Sequence, residues 1–241
     1  DVHSFPTRRS SDLMHSYGLN LSMIHHILIT HDHADHIKSV GSISDSFNIP
    51  VYSTKAVHEG IAKNWCVKKK VSPNQVRYVE KGKTQQIGDF TVTPFAVPHD
   101  SSDCVGYCVQ CEGITFTLVT DCGHVTEEIC AFVAKANYLV IEANHEVEKL
   151  MAGPYPLYLK ERITSQIGHL SNAECARTIV ENATENLKHV WLCHLSDENN
   201  HPELARIAVT SLMESYGLRA GVDFIVEVLR RKIPSEIYDL K

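Results

Sequence analysis

Six consecutive residues concentrate groups able to do chemistry: His31-Asp32-His33-Ala34-Asp35-His36. Three imidazoles and two carboxylates in so short a span suit zinc, manganese or iron better than calcium or magnesium. His31 and His33, two apart, can point from one loop into one cavity. Asp35 and His36 can reach a second point beside it. A solvated polar loop is the plain alternative, and the density of ligand groups argues against it. The flanking pattern positions the cluster. Ile27-Leu28-Ile29-Thr30 is apolar and β-prone, and Ile37, Val40, Ser44 and Phe47 then recur at spacings of three and four. The cluster therefore belongs at the carboxyl end of a strand, before a helix, where α/β folds place their sites.

This pattern is the H-x-H-x-D-H signature of the metallo-β-lactamase superfamily, which the sequence resembles. The signature requires further ligands downstream. Phe90 to Val97 predicts a strand that ends in Pro98-His99-Asp100, and His99 is the third ligand expected for a first metal. Ile114 to Thr120 predicts another, ending in Thr120-Asp121-Cys122-Gly123. An Asp-x-Gly turn is common by itself, but its place in the chain makes Asp121 the candidate bridging carboxylate. Val190 to Ser196 is a third such strand and supplies His194. In Gly168-His169-Leu170-Ser171-Asn172, Ser171 and Glu174 form a capping box, S-x-x-E. His169 is thus held just before a helix start, where the dipole disfavours an imidazolium and suits contact with an anion.

The remaining pattern alternates strands and helices. Pro50 to Ser53, Arg77 to Val79, Tyr138 to Ile141 and Phe224 to Val228 predict strands. Lys55 to Trp65 predicts a helix with Ala56, Gly60 and Ile61 on one side. Thr126 caps a helix to Lys135, with Glu127 and Glu128 in its first turn. Pro202 opens a helix through Tyr216. Tyr155 to Ile163 predicts an amphipathic helix, and Ala173, Ala176, Ile179, Val180 and Ala183 line one face of the helix after Ser171. Lys68-Lys69-Lys70 is a basic run expected to be a solvated face. Cys104, Cys108 and Cys111 have the C-x3-C-x2-C spacing of a radical-SAM cluster loop. Cys104 to Val109 predicts a strand instead, with Cys104 and Cys108 on one face and Cys111 on the other. His3, His15, His25, His26, His58, His124, His145, His189 and His201 match no motif and are expected at the surface or in packing.

The 241 residues fit one domain or two tightly packed halves, and 43% apolar with 22% charged residues reads as globular. No apolar run approaches the roughly 18 residues of a membrane span. The eight cysteines lack a disulfide-scaffold context and predict reduced thiols in the cytoplasm. A net charge of −6 gives no global attraction to nucleic acid, so any such binding must use a local basic patch. Residues 1–13 read DVHSFPTRRSSDL, and His3 to Asp12 match one reading frame of a common sequencing adapter. They are expected to be an artefactual tail, with a helix around Leu13 to Tyr17, a domain over 14–241 and a missing native amino terminus. The sheet holding His31 would then expose an edge.

Taken together, His31 to His36, Pro98-His99-Asp100, Tyr155 to Ile163, Gly168 to Asn172, His194-Leu195-Ser196 and Asn199-Asn200 resemble the YycJ (WalJ, VicX) family of metallo-β-lactamase-fold hydrolases. The resemblance runs from about Leu19 to Pro234, without that family's glycine- and serine-rich first strand. It implies an αββα sandwich, two divalent ions (zinc or manganese) and 5′-to-3′ exonuclease activity on double-stranded DNA, with a role in mismatch repair. On this reading His31, His33 and His99 hold one ion and Asp35, His36 and His194 the other. Asp121 bridges them, and a hydroxide shared by the metals attacks phosphorus. His169 is an acid or oxyanion contact, and Asp35 orients the nucleophile. Tyr155, Tyr158, Lys160 and Arg162 are the candidate DNA contacts. The residues alone specify a binuclear metallohydrolase. A small-molecule phosphodiesterase or thioesterase of the same fold, or an inactive truncated metal-binding fragment, are the alternatives.

Overall fold

The computed structural model describes residues 17–230 and 233–241, so the 1–13 stretch and most of the helix expected near it lie outside the described residues. Strands β1 (Ile27–Leu28), β2 (Val51–Ser53) and β3 (Val76–Tyr78) form a small parallel sheet in that order. The larger sheet contains β4 (Gln85–Ile87), β5 (Phe90–Ala96), β6 (Val105–Cys111), β7 (Ile114–Val119), β8 (Tyr138–Glu142), β9 (His189–Cys193) and β10 (Ile225–Val228). Its order is β10-β9-β8-β7-β6-β5-β4, antiparallel from β4 to β7 and parallel from β7 to β10.

Helices cover the outer face of each sheet. On the small sheet lie α1 (Ala34–Ile37), α2 (Val40–Phe47) and α3 (Lys55–Lys63), which bury Ile37, Val40, Val57 and Ile61 with Ile29 and Val51. On the large sheet, α4 (Glu127–Val133), α7 (Asn172–Asn182) and α8 (Pro202–Ser215) bury Ile129, Ile179 and Val209 with Leu139, Ile141, Val190 and Leu192. Two short helices, α5 (Val147–Ala152) and α6 (Leu157–Ile163), lie between β8 and α7. A third cluster, Val79, Ile87, Val92, Val105 and Tyr107 with Leu28 and Tyr52, joins the sheets' facing sides. The architecture is the expected αββα sandwich. Among the described residues, no helix is long and apolar enough to cross a membrane.

Several local expectations need correction. The single helix expected from Ile37 to Phe47 is broken at Lys38 and Ser39. After the break Val40 and Ser44 face inward. Phe47 does not: it is 39% exposed, beside Asn48, whose left-handed φ of 54° ends the helix. Helix α3 stops at Lys63 rather than Trp65, because the Asn64 side chain turns to donate to the Asp32 carbonyl. Its buried face is Val57, His58 and Ile61. Helix α4 ends at Val133. Tyr155 lies in the loop before α6, which starts at Leu157 after an extended Pro156. The polar run Gln85-Gln86-Ile87 shows no strand periodicity, yet it pairs with β5 as the large sheet's edge. Cys104 and Cys108 are buried in the core, and all eight cysteines are unpaired.

The end of β1 is tied to both sheets. The Ile29 carbonyl accepts from Tyr107 Oη (2.8 Å) and Ser53 Oγ (2.8 Å), and the Thr30 carbonyl accepts from the Val105 N–H (3.0 Å). Tyr107→Phe removes one of these struts and is expected to lower stability by about 0.5–1.5 kcal/mol, the usual net value of one hydrogen bond. Urea unfolding measures it, and an unchanged midpoint would show that the strut contributes nothing.

Candidate metal centre

His31 leaves β1 fully buried, with its Nδ1 3.1 Å from Thr30 Oγ1 and its Nε2 without a hydrogen-bond partner. His33 precedes α1, and its Nε2–H donates to the Asp100 carbonyl (3.2 Å). His99 follows β5, and its Nδ1–H donates to the Gly168 carbonyl (3.0 Å). A carbonyl only accepts, so these bonds fix both tautomers. With both rings neutral, His33 Nδ1 and His99 Nε2 carry lone pairs that face each other at 3.2 Å. Two lone pairs in that position repel unless a cation lies between them.

Asp121 and His194 end β7 and β9 in the left-handed region, each with φ of 55°. For residues with a Cβ this costs about 1–3 kcal/mol, and such strain concentrates at functional sites. It aims both side chains across the strand ends. Five imidazoles lie within 4.0 Å of Asp121: His31 (4.0 Å), His99 (3.6 Å), His169 (3.8 Å) and His194 (3.5 Å) at Oδ1, and His36 (3.4 Å) at Oδ2. Thr120 Oγ1 donates to Oδ2 (2.8 Å).

Four overlapping sets have ligand atoms within 4.8 Å of one another: His31, His33 and His99; Asp35, His36 and His194; His31, His36 and Asp121; and Asp121, Glu142, His169 and His194. Burial, reinforced by the imidazoles of His36, His33, His99 and His194, drives the His31 pKa far down and leaves it a neutral imidazole. Burial also lowers His99, against the opposing pull of Asp121. Burial alone would lower His194 too, yet the Asp121 and Glu142 carboxylates carry it up to about 9. The pull the two carboxylates exert on that proton is one they would exert equally on a metal cation. An orphaned Nε2, opposed lone pairs and five imidazoles crowded round a buried carboxylate all fit divalent transition-metal ions.

Glu142, which opens the sequence stretch Glu142-Ala143-Asn144-His145, was assigned no role from the sequence. It ends β8 with no exposed surface. Oε1 accepts from Nδ1–H of His169 (2.8 Å) and of His194 (2.7 Å), and Oε2 accepts from the N–H of Cys122 (2.8 Å) and of Leu170 (3.1 Å). Burial would raise its pKa, but the two histidine hydrogen bonds outweigh it and hold Glu142 ionised. A carboxylate closing a buried apolar strand must find partners, and that was the available signal. Glu142 also reverses one expectation. The helix start was expected to disfavour an imidazolium at His169. Burial does lower it, but the Glu142 hydrogen bond and charge dominate and raise its pKa. A direct 2.8 Å contact outweighs a helix dipole.

A cavity of about 380 Å³ opens beside these groups, lined by Asp35, His169, His194, Tyr155, Arg162 and Asn144 among others. Arg162 forks onto Asp100 through Nε (2.5 Å) and Nη2 (3.1 Å). Burial would raise the Asp100 pKa, but the Arg162 hydrogen bond and charge hold it low. The other two candidate DNA contacts lie away from the lining. Tyr158 is 72% exposed, and Lys160 Nζ donates to the Met151 carbonyl (2.7 Å).

Residues 6–194 match the family model described as the β-lactamase superfamily domain. The chain belongs to that superfamily. Within it, this β-lactamase-superfamily chain is 33% identical over 223 residues to the exodeoxyribonuclease YycJ of Bacillus anthracis, covering 91% of this chain and 82% of that protein. It is 36% identical over 200 residues to the exodeoxyribonuclease WalJ of Streptococcus pneumoniae serotype 2, covering 83% and 74%. It is therefore a metallo-β-lactamase-fold hydrolase of the YycJ/WalJ family. Among solved structures, YhfI of Bacillus subtilis superposes with a TM-score of 0.66 at 16% identity, over 93% of this chain and 82% of that one. A diphosphatase of the PhnP family gives 0.62 at 16% identity, over 98% and 78%. These two share the fold.

Proposed function

We propose that this hydrolase is a two-metal phosphodiesterase that removes nucleotides from the 5′ end of double-stranded DNA, acting in the cytoplasm, where its unpaired thiols stay reduced, and serving DNA repair. The observation that carries the chemistry is the pair of ligand sets, His31, His33 and His99 beside Asp35, His36 and His194, meeting at Asp121. The names of the YycJ and WalJ relatives support DNA as the substrate. Two zinc or manganese ions held there would supply a nucleophile of lowered pKa and offset charge on the phosphoryl oxygens.

The chain's own residues supply the rest. Asp35, at the cavity wall, orients the attacking water and accepts its proton. Glu142 fixes the Nδ1–H of His169, which leaves Nε2 for the substrate. The raised proton affinity of His169 lets it deliver a proton to the leaving oxygen. Arg162, held by Asp100, sets a fixed positive charge on the cavity wall for a phosphate, and Tyr155 offers a ring to the terminal base. Tyr158 and Lys160 make outer contacts with the duplex.

The test uses 5′-phosphorylated duplex DNA beside bis-p-nitrophenyl phosphate. Chelation of the metals is expected to lower DNA turnover by at least about a hundredfold, with recovery on adding manganese or zinc. Equal cleavage in chelator would sink the two-metal reading. Release of nucleotides from the 3′ end would reverse the polarity. Turnover of the small diester without any of DNA would favour a small-molecule phosphodiesterase, which the cavity volume also suits.

A further inference from the structure

Trp65 lies in the turn after α3 and is 80% exposed. Lys68 Nζ sits 5.7 Å from the centroid of its indole, and Lys63 precedes it. A lone exposed aromatic is ordinary, but this one is tied to the metal loop. Asn64 Nδ2 donates to the Asp32 carbonyl (3.0 Å). Asp32 stands between His31 and His33, and its carboxylate accepts from Ser102 N–H (3.0 Å) and Oγ–H (2.6 Å). At Gly60 of α3, a Cβ would lie 1.9 Å from Asp32 Oδ2, so helix and metal loop are in close contact. Ser102 is two residues from Asp100, which holds His33 and Arg162. One rim of hydrogen bonds and short chain links thus runs from Arg162 through Asp100, Ser102 and Asp32 to Asn64 and Trp65.

The Trp65 end of that rim is basic on a chain of net charge −6. Lys69 is paired with Asp45. Lys70 Nζ rests against the carbonyls of Asn64 (2.6 Å) and Ile61 (3.3 Å), which leaves its charge uncancelled. Lys63 and Lys68 are exposed and form no ion pair among the described residues. The far end of the loop is braced as well, since a Cβ on Gly41 of α2 would fall 1.9 Å from the Lys69 carbonyl oxygen. An exposed indole flanked by free cations on a braced loop has the chemistry of a nucleic-acid platform: stacking accepts any base, and the cations follow the phosphates.

We propose that Trp65, with Lys63 and Lys68, is a second DNA contact, at the end of the rim away from Arg162, where the indole stacks on a base of the strand engaged by the metal centre. This rests on DNA being the substrate and adds a surface separate from the Tyr155–Arg162 stretch.

Trp65 reports on itself, because the only other tryptophan, Trp191, is buried. The metal-loaded Trp191→Phe protein is titrated with a 5′-phosphorylated duplex whose phosphorothioate linkages resist cleavage, and saturable quenching of Trp65 emission is expected. In the otherwise native chain, Trp65→Ala is expected to raise KM for DNA about tenfold with kcat near native, so that the ratio of DNA to bis-p-nitrophenyl phosphate turnover falls. Lys63→Gln and Lys68→Gln are each expected to reduce the salt dependence of binding by about one phosphate contact. The contact is overturned if DNA leaves the emission unchanged and Trp65→Ala leaves KM for DNA unchanged. It is also overturned if KM rises equally for both substrates, which marks a structural role. DNA cleavage without either Trp65 effect would sink the contact and leave the nuclease reading intact. Saturable quenching without cleavage would do the reverse.

Discussion

His169→Ala is expected to lower DNA turnover by about 10²–10⁴-fold, the range for loss of a positioned proton donor, while the protein keeps two metal ions. The expectation follows from how the side chain is held. Its Nδ1–H is committed to Glu142, and it lines the cavity beside Asp35 and His194. It groups with Asp121, Glu142 and His194 and belongs neither to the set of His31, His33 and His99 nor to that of Asp35, His36 and His194. Elemental analysis of the variant beside single-turnover cleavage separates the roles. Loss of one ion with the activity would make His169 a ligand and remove His194 from that place. A leaving group of low pKa should restore much of the rate, because it departs without a proton. No such rescue would argue against an acid.

Glu142→Gln is expected to damage both metal retention and folding. The carboxylate accepts four hydrogen bonds, two at each oxygen. A glutamine keeps one oxygen and puts an NH2 group where the other stood. Either the two imidazoles or the two backbone N–H groups then face a donor. Leaving one buried donor unsatisfied costs about 1–3 kcal/mol, so with two affected stability should fall by about 2–6 kcal/mol. Partners that orient metal ligands are each worth about 10–100-fold in affinity or activity. Since Glu142 orients His194 and His169 together, turnover should fall by at least about a hundredfold. Urea unfolding and metal content check the two effects separately. Native stability with native metal content would show that neither imidazole depends on this carboxylate.

The candidate ligands could be found in the sequence because each closes a predicted strand. His31 to His36, His99, Asp121 and His194 follow apolar stretches whose alternation or run length is a local property of the chain. Capping was equally local: Thr126 and Ser171 accept from the backbone three residues on, as S-x-x-E predicts for Ser171. Turn geometry was less legible. The early stop at Lys63 depends on a distant partner, since the Asn64 side chain donates to the Asp32 carbonyl 32 residues away.

The sequence by itself determined most of the strands and helices, though not β4 or α5, together with the residue types offered to a metal and the superfamily signature, because periodicity and motif spacing are encoded within a few residues. Tertiary structure alone decided what those groups experience. Glu142 meets His169 and His194 across 27 and 52 positions, and Asp100 meets Arg162 across 62. The tautomers of His33 and His99 are set by carbonyls 67 and 69 residues away. Hydrogen bonds and charges act over a few ångströms, so a residue's protonation and role depend on neighbours that only the folded chain brings within reach.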